Sequence, residues 1–261
     1  MKIKGFHSLH LVKFIHHLSY GGLFYGLFLM FQGDLHWLPF LVSTFLISNI
    51  GESAGLHRYF SHNSFATGPI RHKILCLLAT LTTQGSILHW TAMHRLHHKH
   101  SDTKQDPVDP QTIGFWRSFF GIVDPEQFKK INSKIIIDKL RDKDVIWFHN
   151  WYWGVIITFV ISLMIIDPLL IISCYLMPVG IVRLNFGLNN TINHGYFTNI
   201  GYRNYKSNDN SVNSILFHFV TLFSGESLHN NHHYNSKKFS FQDRWWEIDP
   251  TGLFIKYFLI D

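Results

Sequence analysis

The distribution of apolar and charged positions along the chain is uneven in a way that predicts long helices in pairs. No Lys or Arg occurs between Lys13 and Arg58, and Asp34 and Glu52 are the only charged residues in that gap. Within it, residues 14–31 and 37–56 each approach the roughly 20 residues that cross a hydrocarbon layer as a helix. "QGDLHW" between them supplies a polar turn with an interfacial Trp. A second gap free of Lys and Arg runs from Val145 to Val182, entered through the aromatic run "WFHNWYW" and interrupted by Asp167 and Pro168. It predicts spans over about 145–166 and 168–190 behind an aromatic interfacial belt. Residues 72–93 are long enough for a fifth crossing, but "TLTTQGS" places polar residues and Gly at the centre; the segment reads as an interfacial or re-entrant helix.

The basic residues orient these elements. Neither hairpin turn carries a Lys or Arg, and all 23 basic residues fall in the N-terminal segment, in 58–143, or from Arg183 onward. Both turns are therefore expected outside, and both termini in the cytoplasm. Residues 124–143 read as a charged surface helix, 198–210 as a loop and 211–224 as a short apolar helix, with no internal repeat. The basic N-terminus runs straight into an apolar segment and reads as an uncleaved anchor. One integral membrane domain over 1–261 is expected, all-α, with four transmembrane helices.

Composition supports a bilayer as solvent: 15% of residues are charged and 46% apolar, against about 25% charged in soluble domains. The net charge of +6 comes from residues flanking the apolar runs, which suits anionic lipid or a negatively charged substrate and argues against nucleic acid. Cys76 and Cys174 lie far apart inside apolar stretches, so neither a disulfide framework nor a CxxC site is indicated.

The candidate chemistry is imidazole. The 19 histidines outnumber the 17 Asp and Glu. "HRYFSH" carries His57 and His62, "HRLHHKH" carries His94, His97 and His98, "NTINH" carries Asn190 and His194, and "HNNHH" carries His229, His232 and His233. On the predicted topology all four groups fall on the cytoplasmic side. Each HxxHH triplet is spaced i, i+3, i+4, so on a helix its members share one face. His57 and His62, five apart, lie about 140° apart on an ideal helix, which puts one of them at or beyond a helix end. Nine histidines exceed what one ion takes, whereas two irons use eight to ten ligands. A zinc protease needs HExxH, which is absent, and a carboxylate-bridged di-iron bundle needs two ExxH pairs, of which only Glu226–His229 fits. A histidine-dominated di-iron centre in a cytosolic helical cap remains. His7, His10, His16, His17, His36, His72, His89, His149 and His218 are expected in structural roles, and His100 beside the site or at the surface.

These motifs resemble the membrane fatty acid desaturase family, in particular the delta-nine acyl-CoA and acyl-lipid desaturases. The resemblance rests on "GLHRYFSH", "HRLHHKHSDTKQDP", "NTINHGYF" followed by "GYRNY", and "GESLHNNHHY" followed by "RWWEIDPTG", and runs from about residue 40 to 252. It implies two irons on the cytosolic side of a four-span, mushroom-shaped helical domain. The ligands it implies are His57, His62, His94, His97, His98, His194, His229, His232 and His233, with Asn190 acting through a water. It also implies a cis double bond placed in a saturated acyl chain, with dioxygen as co-substrate. The substrate would be an acyl-CoA or acyl-lipid, and the membrane the bacterial inner membrane or endoplasmic reticulum. Two electrons would come from a separate donor of the b-type cytochrome, ferredoxin or rubredoxin class, since no fused cytochrome domain is expected. Val108 stands after "DP" where the family often has His, and "GESLH" lacks the common aromatic before its first His; neither removes a ligand. Arg71, Lys73 and Arg183 are candidates to meet a phosphate-bearing head group. Two rival readings use the same clusters: a membrane hydroxylase or alkane monooxygenase, and a metal transporter, whose ligands would instead line a path inside the spans.

Overall fold

The structure, a computed structural model, describes residues 9–121, 132–196, 200–220 and 224–261. The basic N-terminal residues 1–8, part of the expected surface helix 124–143, and short pieces of the expected loop 198–210 and helix 211–224 lie outside them. The described chain is helical, with two isolated β-bridges and no strand. The helices used below are α1 (Leu9–Gln32), α2 (Trp37–Thr44), its direct continuation α3 (Phe45–Ser61), α4 (Pro69–Leu81) and α5 (Ile87–His100). They are followed by α6 (Phe115–Phe119), α7 (Lys143–Asn150), α8 (Tyr152–Ile166), α9 (Leu169–His194), α10 (His229–Tyr234) and α11 (Pro250–Phe254).

Helices α1 and α9 are each long and apolar enough to cross a membrane, and α7 with α8 makes a third such length if the pair, bent by 67°, is one span. Their outer faces carry exposed apolar side chains, among them Phe24, Phe28 and Phe31 on α1 and Ile161, Ile165 and Ile166 on α8. Water would penalise such faces and hydrocarbon does not. α1 packs on α9 through small residues. A Cβ on Gly180 would come within 2.8 Å of the Ser19 carbonyl, and one on Gly22 within 2.6 Å of Leu176 Cβ, so glycine sets how closely these backbones approach.

The α2–α3 segment changes character along its length. Leu38, Leu41, Val42 and Phe45 are exposed, whereas every residue from Ile47 to Arg58 is buried. α3 is wound with i→i+5 hydrogen bonds, wider than an α-helix. α4 lies tightly against it, with the Leu78 carbonyl where a Cβ on Gly51 would come within 2.6 Å.

The single helix expected over about 72–93 is two helices, α4 and α5, broken at Thr82–Ser86. Thr83 and Gly85 both have positive φ, at 56° and 93°, which ends α4 and redirects the chain. Three helices hold the break. His16 on α1 donates Nε2 to the Thr83 carbonyl (2.7 Å), Tyr175 on α9 shares a hydroxyl hydrogen bond with Thr83 (2.6 Å), and Tyr152 on α8 accepts from Gly85 N (3.2 Å). Irregular backbone surrounded in this way is the form tolerated at membrane depth. Ser86 then caps α5, accepting from His89 N, and aims the helix at the site.

Candidate metal centre

The four histidine groups meet. The ring nitrogens of His57, His62, His94, His98 and His232 lie within 4.8 Å of one another, and those of His97, His194, His229 and His233 form a second such group. These are the nine histidines predicted. His100, half-buried at the end of α5, belongs to neither group. α5 serves both, sending His94 and His98 to one and His97 to the other, as does α10 with His232 against His229 and His233.

The five-residue spacing of His57 and His62 has a physical answer. His62 caps α3 and its N–H donates to the His57 carbonyl five residues back (3.2 Å). The wide winding turns both rings toward one point, with centroids 5.1 Å apart. An i→i+5 turn of this kind is frequently found at functional sites.

Carboxylates fix the rings from behind. Nδ1 of His57 faces Glu226 Oε2 at 2.5 Å, His97 faces Asp106 Oδ2 at 2.9 Å, His194 faces Asp102 Oδ1 at 3.2 Å and His233 faces Asp209 Oδ2 at 2.9 Å. A carboxylate accepts, so each Nδ1 carries the proton and each Nε2 presents a lone pair inward. The inward nitrogens nevertheless crowd together: His97 to His194 at 3.2 Å and His194 to His233 at 3.1 Å, Nε2 to Nε2. With the rings neutral no proton is left for those contacts, so they repel unless a cation sits between them. A metal about 2.1 Å from two nitrogens at right angles holds them about 3 Å apart. The donor set thus fits metal ions, and its neutral nitrogen character suits iron as well as other first-row ions.

Electrostatics agree. Burial, and then the charges of neighbouring imidazoles, hold His62, His94, His98, His229, His232 and His233 well below the ordinary histidine value, hence neutral and able to ligate. Burial also pushes His97 down, but Asp106, Asp102 and Asp209 together outweigh it and raise His97 overall. Glu226 is drawn up by burial and down, more strongly, by His57, Arg58 and Ser53 together, so it stays ionised.

Those carboxylates are the part that sequence reasoning missed. Asp102 and Asp106 follow "HRLHHKH" directly, and Glu226 stands one helical turn before His229, a signal present but readable only as the ExxH ligand pair. Glu226 is not in either nitrogen group; it holds His57 instead. Two further clamps were also unread. Arg58, fully buried, pairs with Asp249 at 2.8 and 3.0 Å and stacks over Phe241 at 3.7 Å. Asn231 donates to the Phe241 carbonyl and to Glu247, both at 2.9 Å, and accepts from Asn204 and Asn213. A six-residue helix such as α10 has little stability alone; these bonds and those of Asn230 to Tyr205 orient it. "RWWEIDPTG" is thus a locking segment. His72 stands apart, tying α4 to α7 through Asp142 at 3.4 Å and to Tyr59 at 3.0 Å.

A cavity touches both nitrogen groups, with His94 from one and His97 from the other in its wall. Val12, Trp90, Met93, Val108 and Phe186 make much of the remainder apolar. Asn190, one turn before His194 on α9, lines the same cavity, its Nδ2 buried without an acceptor.

Comparison with known proteins agrees with this geometry. A family model described as fatty acid desaturase matches residues 35–249. The sn-1 stearoyl-lipid 9-desaturase of Synechocystis is 29% identical, over 81% of this chain and 65% of its own length. That of Anabaena variabilis is 27% identical over 94% of this chain and 90% of its own. Stearoyl-CoA desaturase 2 of Mus musculus is 28% identical over 90% and 67%. The match to the Synechocystis protein thus takes in slightly less than two thirds of that relative.

Proposed function

Because this chain belongs to the fatty acid desaturase family, we propose that it inserts a cis double bond, at the delta-nine position, into a saturated acyl chain, consuming dioxygen and two electrons from a separate donor protein. The observation that carries the reading is an apolar cavity whose wall includes one histidine from each of two inward-facing nitrogen groups. His57, His62, His94, His98 and His232 would hold one iron; His97, His194, His229 and His233 would hold the other, with Asn190 beside them through a water. The chemistry such irons supply when bound is oxidation of an unactivated methylene by dioxygen, for which no amino-acid base is strong enough.

The protein's own residues do the rest. Asp102, Asp106, Asp209 and Glu226 keep the Nδ1 protons and so hold the inward lone pairs in place. Trp90, Met93, Val108 and Phe186 confine the acyl chain beside His94 and His97 and exclude water from the reacting carbons. A second pocket, lined by Arg95, Asp138, Lys134 and Lys237, opens over His62 and His98; it offers a donor protein a polar approach to the five-histidine group. α1, α2 with α3, α7 with α8, and α9 are assigned as four crossings with the site and both termini cytoplasmic. The polar turns at Gly33–Asp34 and Asp167–Pro168, which lack Lys and Arg, support that orientation.

Expression in a host lacking unsaturated acyl chains, followed by mass-spectrometric location of new double bonds, tests the reading. A cis-9 alkene is expected, and its absence from the His97→Ala and His232→Ala variants. A hydroxylated chain without an alkene would instead assign a hydroxylase.

A further inference from the structure

The cavity beside the histidines is electrically unbalanced. Among the described residues its lining includes Lys13 and Arg183 and no carboxylate. Of the three cations that the sequence offered for a head group, Arg71 is paired with Asp261 and Lys73 is exposed, whereas Arg183 is 3% exposed and lines the cavity. Its guanidinium donates to Gln84 Oε1 at 2.5 Å and to the Phe120 carbonyl at 2.7 Å, both neutral acceptors, and lies over the Phe186 ring at 4.8 Å. Glu52, buried on α3, accepts from Asn185; its charge acts on Arg183 from beyond contact distance, and among the described residues no carboxylate forms an ion pair with the guanidinium. Arg183 Nε and the side-chain NH2 of Gln84 and of Asn190 are buried with no acceptor. Each of these three groups is a donor, as is the Trp90 Nε1 in the same wall.

A buried guanidinium with no carboxylate in contact is destabilising, and so is each unmet buried donor. An anionic oxygen placed among them would relieve both at once. We infer that Arg183, supported by Gln84 and Lys13, receives a negatively charged oxygen of the acyl substrate, a lipid phosphate or a free carboxylate, while the chain runs along the cavity to His94 and His97. This rests on the desaturase reading for the nature of the ligand. On α9, Arg183 precedes Asn190 by seven residues, about 10 Å of helix axis, so the bound oxygen acts as a fixed stop from which a set length of chain reaches the histidines. Arg183 would then set which methylenes are presented, as a positioning residue.

Binding to the purified full-length chain tests this without turnover, using stearate, distearoyl phosphatidic acid, methyl stearate and octadecane as probes and the shift in thermal unfolding as the readout. The native protein is expected to bind one or both anions more tightly than methyl stearate or octadecane, the tighter anion naming the source. Arg183→Gln is expected to weaken anion binding by about ten- to a hundredfold and to leave octadecane binding unchanged. Should Arg183→Gln fail to fold, Arg183→Lys is expected to keep the anion preference at severalfold lower affinity. Anions bound no better than the methyl ester, or native-like stearate affinity in a folded Arg183 variant, would overturn the inference. A protein that binds stearate through Arg183 yet forms no alkene would overturn the desaturase reading alone.

Discussion

At the scale of single residues, the site depends on pairs, each imidazole being only as good a ligand as the group behind it allows. Asp106 holds the Nδ1 proton of His97 at 2.9 Å while itself accepting from Val108 N at 3.0 Å. Asp106→Asn keeps the shape and removes the charge, so it is expected to lower iron retention or activity by about ten- to a hundredfold, measured by metal analysis beside product formation; unchanged retention would make Asp106 a loop-capping residue only. The clustered histidines were legible as a group because two HxxHH triplets in one chain are hard to explain by surface chance. Their carboxylate partners were not, because Asp102, Asp106 and Asp209 look in sequence like ordinary loop acids. Only the fold shows which ring each one faces.

At the scale of elements, two departures from regular helix decide where side chains point. The i→i+5 winding of α3 brings His57 and His62 to one point, which an ideal α-helix at that spacing would not. The break at Thr82–Ser86 turns α5 toward the site; "TTQGS" announced polarity there, but not that His16, Tyr152 and Tyr175 would bind it. Long apolar stretches were legible as helices because their period and length leave no other form in hydrocarbon, whereas the i→i+5 winding of α3 has no such signature in period or length. Contact between α1 and α9 makes a cleaner test. Gly180→Leu pushes a side chain into the Ser19 carbonyl and is expected to cost about 1–3 kcal/mol or more. Gly21→Leu, where a Cβ meets nothing within 4 Å, is expected to be near neutral. Thermal unfolding in detergent compares them, and equal midpoints would contradict the packing described.

At the scale of the whole molecule, the helices serve to bring nine imidazoles together, six of them in surroundings that resist protonation. Burial and mutual repulsion set six of them well below the ordinary histidine value of 6.5. Below that pH the unfolded chain takes up protons that the folded metal-free site resists, so unfolding becomes easier as pH falls. The unfolding midpoint of the metal-free protein is therefore expected to drop on acidification through the mid-6 range, and a flat profile there would mean that these rings are not buried together. The most direct test is metal stoichiometry in the purified native chain and in the His229→Ala variant, which touches the four-histidine group alone. Two irons per native chain and about one in the variant are predicted; a single ion in the native chain, or two irons retained in a folded His229→Ala variant, would contradict a pair of separate histidine-held sites.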